Sequence, residues 1–390
     1  MMNFILLLLA FSLTNSNTAV SGIVLAFTIP AVFFGILAGI FVDRWNKKYV
    51  LFITNILRAG LLLLLAFLHT NLIGIYAITF LIAIITQFFI PAETPMIPLL
   101  VKKEDLYAAN SLFGIGLFGS LFVAYALSGS FLFLFSVQHA LLILCGFFIL
   151  AGLSILFIKH VNQKSIIKNN LQKDSLFREF HQTIRLVVKK KNLYNAFLML
   201  ALSQVLILTI AVVGPGFAER VLKITVDAFP LLFVTPAVIG MGLGTFVLTN
   251  YFANVSRQKS ATVGLFLSSL SLFLLPLAGN FTGHIAVRSV NTFLPQLLQI
   301  NILHLMMLLA FVLGFANALI FVPSNTIVQE ETSDEIRGKI YGALNTFVSL
   351  LSLLPVILVG SLADVIGVAN VLTFVAACIA IIGIARVFFM

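Results

Sequence analysis

The stretch Gly39-Ile-Phe-Val-Asp43-Arg44-Trp45-Asn46-Lys47-Lys48 decides the fold. Apolar runs flank it, 22–42 before and 49–68 after, and each is close to the roughly 20 residues that cross a bilayer as helix. Charges this dense between two such runs mark a tight turn that stays on the side of synthesis. The order of charges, an acid at a helix end and then bases, allows a latch as well as an anchor.

The rest of the chain extends the pattern. Of 390 residues, 61% are hydrophobic and 9% charged, against about 25% charged in a soluble domain. Lipid must therefore solvate most of the surface. Runs of spanning length recur at 73–100, 108–134, 140–158, 193–213, 228–248, 261–277, 302–322, 340–359 and 368–385. With the first two they predict eleven complete spans. A run at 3–13 is half long enough and predicts a truncated first helix.

The net charge of +10 is distributed as topology rather than as a nucleic-acid surface. With Asn15 placed outside, 19 of the 23 Lys and Arg fall in inner segments and 3 (Arg220, Lys223, Arg288) in outer ones. The last, Arg58, is inside a run. That bias predicts a multi-pass membrane protein with both termini on the cytoplasmic side. Cys145 and Cys378 both lie in apolar runs and offer neither a disulfide framework nor metal-ligand spacing. The first eleven residues lack the basic start and small-residue cleavage site of a signal peptide. No phosphate loop, nucleophile elbow or zinc motif is present, so no enzyme and no cofactor are expected.

The longest polar segment divides the chain into an N-terminal transmembrane half, 1–158, a cytoplasmic linker, 159–192, and a C-terminal half, 193–390. Within the linker Leu176, Phe177, Phe180, Ile184, Val187 and Val188 recur at helical spacing, as in a helix lying on the membrane surface. The halves repeat each other. Phe27-Thr-Ile-Pro30-Ala-Val matches Phe233-Val-Thr-Pro236-Ala-Val, and Phe89-Ile-Pro91-Ala-Glu93-Thr94 matches Phe321-Val-Pro323-Ser-Asn325-Thr326. Gly35 and Gly39 match Gly240 and Gly244, which reads as glycine packing common to both halves. No acid or base in the second half matches Asp43 and Arg44. Parallel halves of this kind are a transporter architecture.

These motifs resemble the major facilitator superfamily, in particular its bacterial drug- and siderophore-exporter branch. The resembling stretches are 39–48, 90–112, Arg337-Gly-Lys-Ile-Tyr-Gly-Ala-Leu-Asn345 and 360–372. The resemblance implies an all-α membrane protein with two parallel six-helix halves, a central cavity and alternating access. It further implies a monomeric transporter whose partners are the bilayer and a small-molecule substrate, with the proton gradient as energy source. Three departures stand out. Asn46 replaces the family's Gly, as the non-Gly residue that best tolerates a left-handed turn. Ala124-Tyr125 replaces the Gly-Pro of antiporters. Family members start about 20 residues earlier.

The resemblance sets Asp43 against the helix starting near Gly338-Lys339-Ile340, where free N–H groups and partial positive charge favour a carboxylate. Lys47 matches a base that pairs with the fourth helix of the family. Arg44, Lys47 and Lys48 also read simply as anchors. Glu330, Glu331, Asp334 and Glu335 offset the dipole of the following helix and could meet the 43–48 loop. Asp364, before Gly367, reads as a helix-end residue. Arg58 lies roughly 13 Å into its run, and Glu93 roughly 10 Å from the inner end of 73–100. A buried Arg58–Glu93 pair and a proton-carrying Glu93 are one reading. The other is a snorkelling Arg58 and a Glu93 in the cytoplasmic mouth, with Lys47 as a competing partner.

On the runs that line the family's cavity stand Gln87, Asn195, Ser203, Gln204 and Asn317, none charged. A neutral passage in a chain with 39 Phe suits a lipophilic or amphipathic substrate. The same amides also serve as bonds between helices. The leading expectation is proton-coupled efflux of such molecules. A lipid or lysophospholipid transporter of the same fold and a non-transporting truncated protein are the alternatives.

Overall fold

A computed structural model describes residues 1–93, 96–102, scattered positions from 105 to 132, and then 134–158, 185–251, 255–282, 302–332 and 334–389. Among them ten helices are long and apolar enough to cross a membrane, and no strand occurs. Most of the run at 108–134 and most of the linker lie outside the described residues.

The first helix, α1 (Met2–Thr14), is apolar on every side, and every residue from Phe4 to Phe11 is buried. A helix hydrophobic all round needs an apolar surround of protein or lipid, and here protein supplies it. It ends at Asn15, which takes the left-handed conformation (φ 50°) and donates its N–H to Phe11 O. Ser16 then caps α2 (Asn17–Arg44) by accepting from Ala19 N at 3.3 Å. α2 and α3 (Lys47–Leu68) are joined by Trp45 and Asn46 alone. Asn46 is extended there (φ −69°, ψ 110°), and its side chain accepts from Lys48 N at 3.1 Å. The left-handed turn expected of Asn46 is therefore not formed. A side chain that caps α3 directly serves the short connection better.

α4 (Leu72–Glu93) is shorter than the run 73–100. A separate short helix, Ile97–Leu100, follows. By these bounds Glu93 is the last residue of α4. The first half continues with α5 (Val137–Leu156).

The second half begins with α6 (Lys191–Gly216), whose end widens into a π turn over Phe217–Val221. A second π turn over Pro230–Val234 leads into α7 (Thr235–Tyr251). α8 (Arg257–Thr282), α9 (Ile302–Glu330), α10 (Asp334–Val365) and α11 (Val368–Phe389) complete it. Gly367 makes the sharp turn between α10 and α11 with φ 89°, open to glycine without a Cβ penalty. In the linker, 185–189 is helical and Val187 is buried against Leu193, Phe197 and Ile340, which fastens this segment to the second half.

Packing repeats between the halves. α2 lies on α4 as α7 lies on α9, and α3 lies on α5 as α8 lies on α11. The glycines do not repeat. A Cβ on Gly240 would come within 2.0 Å of Phe311 O, and one on Gly314 within 1.8 Å of Ala237 O. One on Gly39 would meet nothing, and one on Gly35 only ordinary contact. Of these matched glycines, among the described residues, the close packing belongs to the second half, where α7 and α9 bring their backbones together. Gly314→Leu is expected to cost about 3 kcal/mol or more by prising α7 from α9. The check is the temperature at which detergent-solubilised protein stops eluting as a monodisperse peak.

The two ends of the bundle differ. At the Asn15 end one apolar core runs through both halves, from Leu6, Val20 and Ile23 to Val213, Val356 and Val359. At the Asn46 end the described core is divided. Val42, Val50, Leu51, Ala92 and Met96 cluster in the first half, and Leu193, Phe197, Val328, Ile340 and Leu344 in the second. Among the described residues, then, the core is continuous across the halves at one end and falls into one cluster per half at the other.

Candidate functional site

The contact that closes the Asn15 end is built around Asp364, in the last turn of α10. Its Oδ2 accepts from Ser16 Oγ (2.6 Å), Thr18 N (2.8 Å) and Thr18 Oγ1 (2.8 Å). Its Oδ1 accepts from Asn17 N and Asn17 Nδ2, both at 2.9 Å. These N–H groups begin α2 and have no acceptor within their own helix, so a carboxylate there satisfies them and offsets the helix dipole. Arg220, past the end of α6, pairs with Asp364 Oδ1 at 3.3 Å and donates to Asn15 O. Its guanidinium also stands 5.7 Å from the Phe11 ring centroid. One acid thus joins α10, α2, the α1–α2 junction and the end of α6.

Below this cluster α2 and α10 nearly touch. Ser21 Oγ donates to Val356 O at 2.8 Å. A Cβ on Gly360 would lie 2.0 Å from Ser21 Oγ and 2.7 Å from Asn17 O. Neither Asp364, Arg220 nor Gly360 was identified from the sequence as part of a gate. The legible trace is Ser16 as a helix-capping residue and an acid ending the run 340–359.

At the Asn46 end the side chains of Asp43, Arg44 and 334–339 lie outside the described ones, and with them the expected Asp43 latch. α10 starts at Asp334, so Gly338 sits a turn inside the helix. Lys47 is half-buried. Lys48 Nζ donates to Leu156 O (2.9 Å) and Ile158 O (2.5 Å), capping the C-terminal end of α5. Trp45 stacks on Phe88, with centroids 6.1 Å apart. Among the described side chains Glu330 pairs with Arg257, and Glu331 with Lys190 at 3.2 Å, both bases belonging to the same half and its linker. Hydrogen bonds from Asn192 and Lys190 hold the Glu331 carboxyl below the usual carboxylate range.

Arg58 is buried between Phe89 and Phe148, with its guanidinium carbon 4.2 and 4.9 Å from the ring centroids. It donates to Thr54 O at 3.2 Å and to Asn55 Oδ1 at 3.2 Å. Glu93 is the acid whose charge acts on it. The two stand beyond the 4.0 Å of a direct ion pair: none of the described salt bridges joins them.

The uncharged candidates separate into groups. Ser203 and Asn317 are buried and bonded to each other across α6 and α9, Ser203 Oγ to Asn317 Oδ1 at 3.0 Å and Asn317 Nδ2 to Ser203 O at 3.3 Å. Gln87 is buried on α4, its Nε2 3.5 Å from Ala83 O. Gln204 is half-buried on α6. Asn195 lies apart, in a crevice with Arg257, Gln258, Ser324 and Arg386 at the Asn46 end of the second half.

The sequence profile of the Major Facilitator Superfamily matches residues 1–293. The chain belongs to the Major Facilitator Superfamily. It is a transporter with that superfamily's alternating-access fold, and not an enzyme. Among curated members, the uncharacterized MFS-type transporter YfiS of Bacillus subtilis (strain 168) is 22% identical over 369 residues, 94% of this chain and 83% of YfiS. YvqJ of the same strain, also described as an uncharacterized MFS-type transporter, is 21% identical over 352 residues, 88% of this chain and 77% of YvqJ. The crystal structure of the nucleoside transporter NupG superposes with a TM-score of 0.71 at 17% identity, covering 99% of this chain and 96% of NupG. A bacterial homologue of the human lysosomal transporter Spinster, in an inward-facing and unoccupied conformation, gives 0.70 at 14% identity over 99% of this chain and 93% of its own. At such identities the two structures speak for the fold.

Proposed function

We propose that this transporter exports small lipophilic or amphipathic molecules from the cytoplasm by alternating access, exchanging them for protons. The division of the core is the observation that carries it. A core continuous at one end and divided, among the described residues, at the other fits one of the two states that alternating access requires. The excess of basic residues supports a cytoplasmic position for the Asn46 end in a bacterial inner membrane, with the substrate entering there. Gln87, Ser203, Gln204 and Asn317 offer neutral hydrogen bonds in apolar surroundings, which suit an uncharged or weakly charged molecule. A phosphorylated substrate would call for Arg or Lys instead. The motifs at 39–48 and 90–112 support the drug- and siderophore-exporter branch. Glu93, at the end of α4 in the field of Arg58, is the proton-binding candidate.

The test is dye retention in cells lacking their own exporters. Expression should lower intracellular lipophilic cationic dye, and a protonophore should abolish the difference. Unchanged dye would overturn export of this substrate class. Movement of labelled lysolipid in proteoliposomes would then favour the lipid reading, and uptake of labelled nucleoside a nucleoside one.

A further inference from the structure

We infer that Asp364 is a gate carboxylate, and that it and Asp43 form two alternating locks on a single helix pair. This rests on the alternating-access reading and deepens it. α2 and α10 are antiparallel, since the last turn of α10 meets the first turn of α2. Each helix carries an aspartate in its last turn, Asp43 and Asp364. Asn17 to Asp43 and Gly338 to Asp364 are equal separations, about 26 residues or ~39 Å of helix. Setting Asp364 against Asn17 therefore brings Asp43 level with Gly338, which Arg337 and Lys339 flank in sequence. The arrangement has two-fold character. In register the last-turn aspartate of each helix falls level with the first turns of the other.

The two locks cannot hold together. At the Asn15 end Asp364 has six donors around it and the core is continuous, while at the Asn46 end the described core is split between the halves. Closing the Asn46 end requires the halves to rock about the middle of the α2–α10 contact. Such rocking draws the first turn of α2 away from Asp364. Each carboxylate then stabilises one state only, which is the condition for biasing an equilibrium. Arg220 makes the Asn15 lock a three-way joint, because it leaves both Asp364 and Asn15 when the end opens.

Spin labels on full-length protein in nanodiscs, without ligand, test this. Cys145 and Cys378 are first replaced. Leu13 and Ile366, 41% and 45% exposed, report on the Asn15 end, and Tyr49 and Val255, 54% and 42% exposed, on the other. Asp364→Asn puts an NH2 group among donors, so a longer 13–366 distance should grow at least about tenfold in population while 49–255 shortens. Asp43→Asn should shift both distances the opposite way. Arg220→Gln, a milder change, covers the case in which Asp364→Asn fails to fold. If Asp43→Asn shifts the distances and neither Asp364→Asn nor Arg220→Gln lengthens 13–366, the paired lock is wrong and alternating access stands. If no variant moves either distance, alternating access falls with it.

Discussion

Gly360→Leu will open the Asn15 end of the transporter. In the closed end the position has no room for any side chain. The first added carbon would already lie 2.0 Å from Ser21 Oγ and 2.7 Å from the Asn17 carbonyl. The carbonyl belongs to helix backbone and cannot swing aside. Leucine adds three further carbons, so α2 and α10 must separate. Overpacking of this kind costs about 1–3 kcal/mol in a core that cannot yield. Here the protein has a second state in which the two helix ends are apart, so the strain is relieved by a shift of population. A shift of about 3 kcal/mol is roughly 150-fold in the ratio of the two states. Val24, fully buried one turn inward from Ser21, provides the readout. As the only cysteine, at position 24, it should resist a membrane-impermeant maleimide added at the Asn15 side. In the Gly360→Leu background it should react at least about tenfold faster, and Gly360→Ala should fall between. Equal rates in all three proteins would show that this contact does not govern access. A cysteine at 24 that reacts rapidly without any change at 360 would show that the end is not closed.

The large features of this structure are local in the sequence, and the gate is not. A run of apolar residues announces a span by itself, and the loop at 43–48 announces its side by charge. The bounds of α2, α3, α5 and α6 accordingly fall within a few residues of the runs, though α2 starts earlier because Ser16 and Asn17 begin the helix with polar side chains. The run 73–100 is longer than α4, because hydropathy does not mark where a helix ends. The repeated glycines misled in another way. Gly39 and Gly244 share a sequence context, but only Gly244 has a helix against it. Packing is a property of two surfaces, and the sequence displays one at a time. Asp364 is the extreme case. Its donors are 144 to 348 positions away, so nothing near it distinguishes a lock from an ordinary helix end. Ser203 and Asn317 were visible as amide and hydroxyl in apolar runs, whereas their bond across 114 positions was not.

Glu93→Gln will abolish proton-driven transport while leaving exchange intact. Arg58 is held by its own helix and by two phenylalanine faces, and those contacts are indifferent to protons. A buried guanidinium still requires a compensating negative charge nearby, and Glu93 is the acid whose field reaches it. Because the two are not in direct contact, the Glu93 carboxylate stays open to protonation from the end of α4. Protonation removes the compensation and so changes the stability of the first half in one state relative to the other. Glutamine fixes the carboxyl position in its uncharged form. Substrate can still be bound and the halves can still rock, but no proton accompanies the cycle. In proteoliposomes a gradient of two pH units can sustain about a hundredfold substrate ratio for one-to-one exchange, since each unit is about 1.4 kcal/mol. The wild type should approach that ratio, and Glu93→Gln should reach a ratio near one. Counterflow of labelled against unlabelled substrate, without a gradient, should continue at a similar rate in both. Concentrative transport surviving in Glu93→Gln would exclude Glu93 as the proton carrier. Loss of both activities would point to damaged structure. The double variant Arg58→Leu with Glu93→Gln separates these outcomes, because removing the uncompensated cation should restore the thermal stability that Glu93→Gln loses without restoring the gradient-driven step.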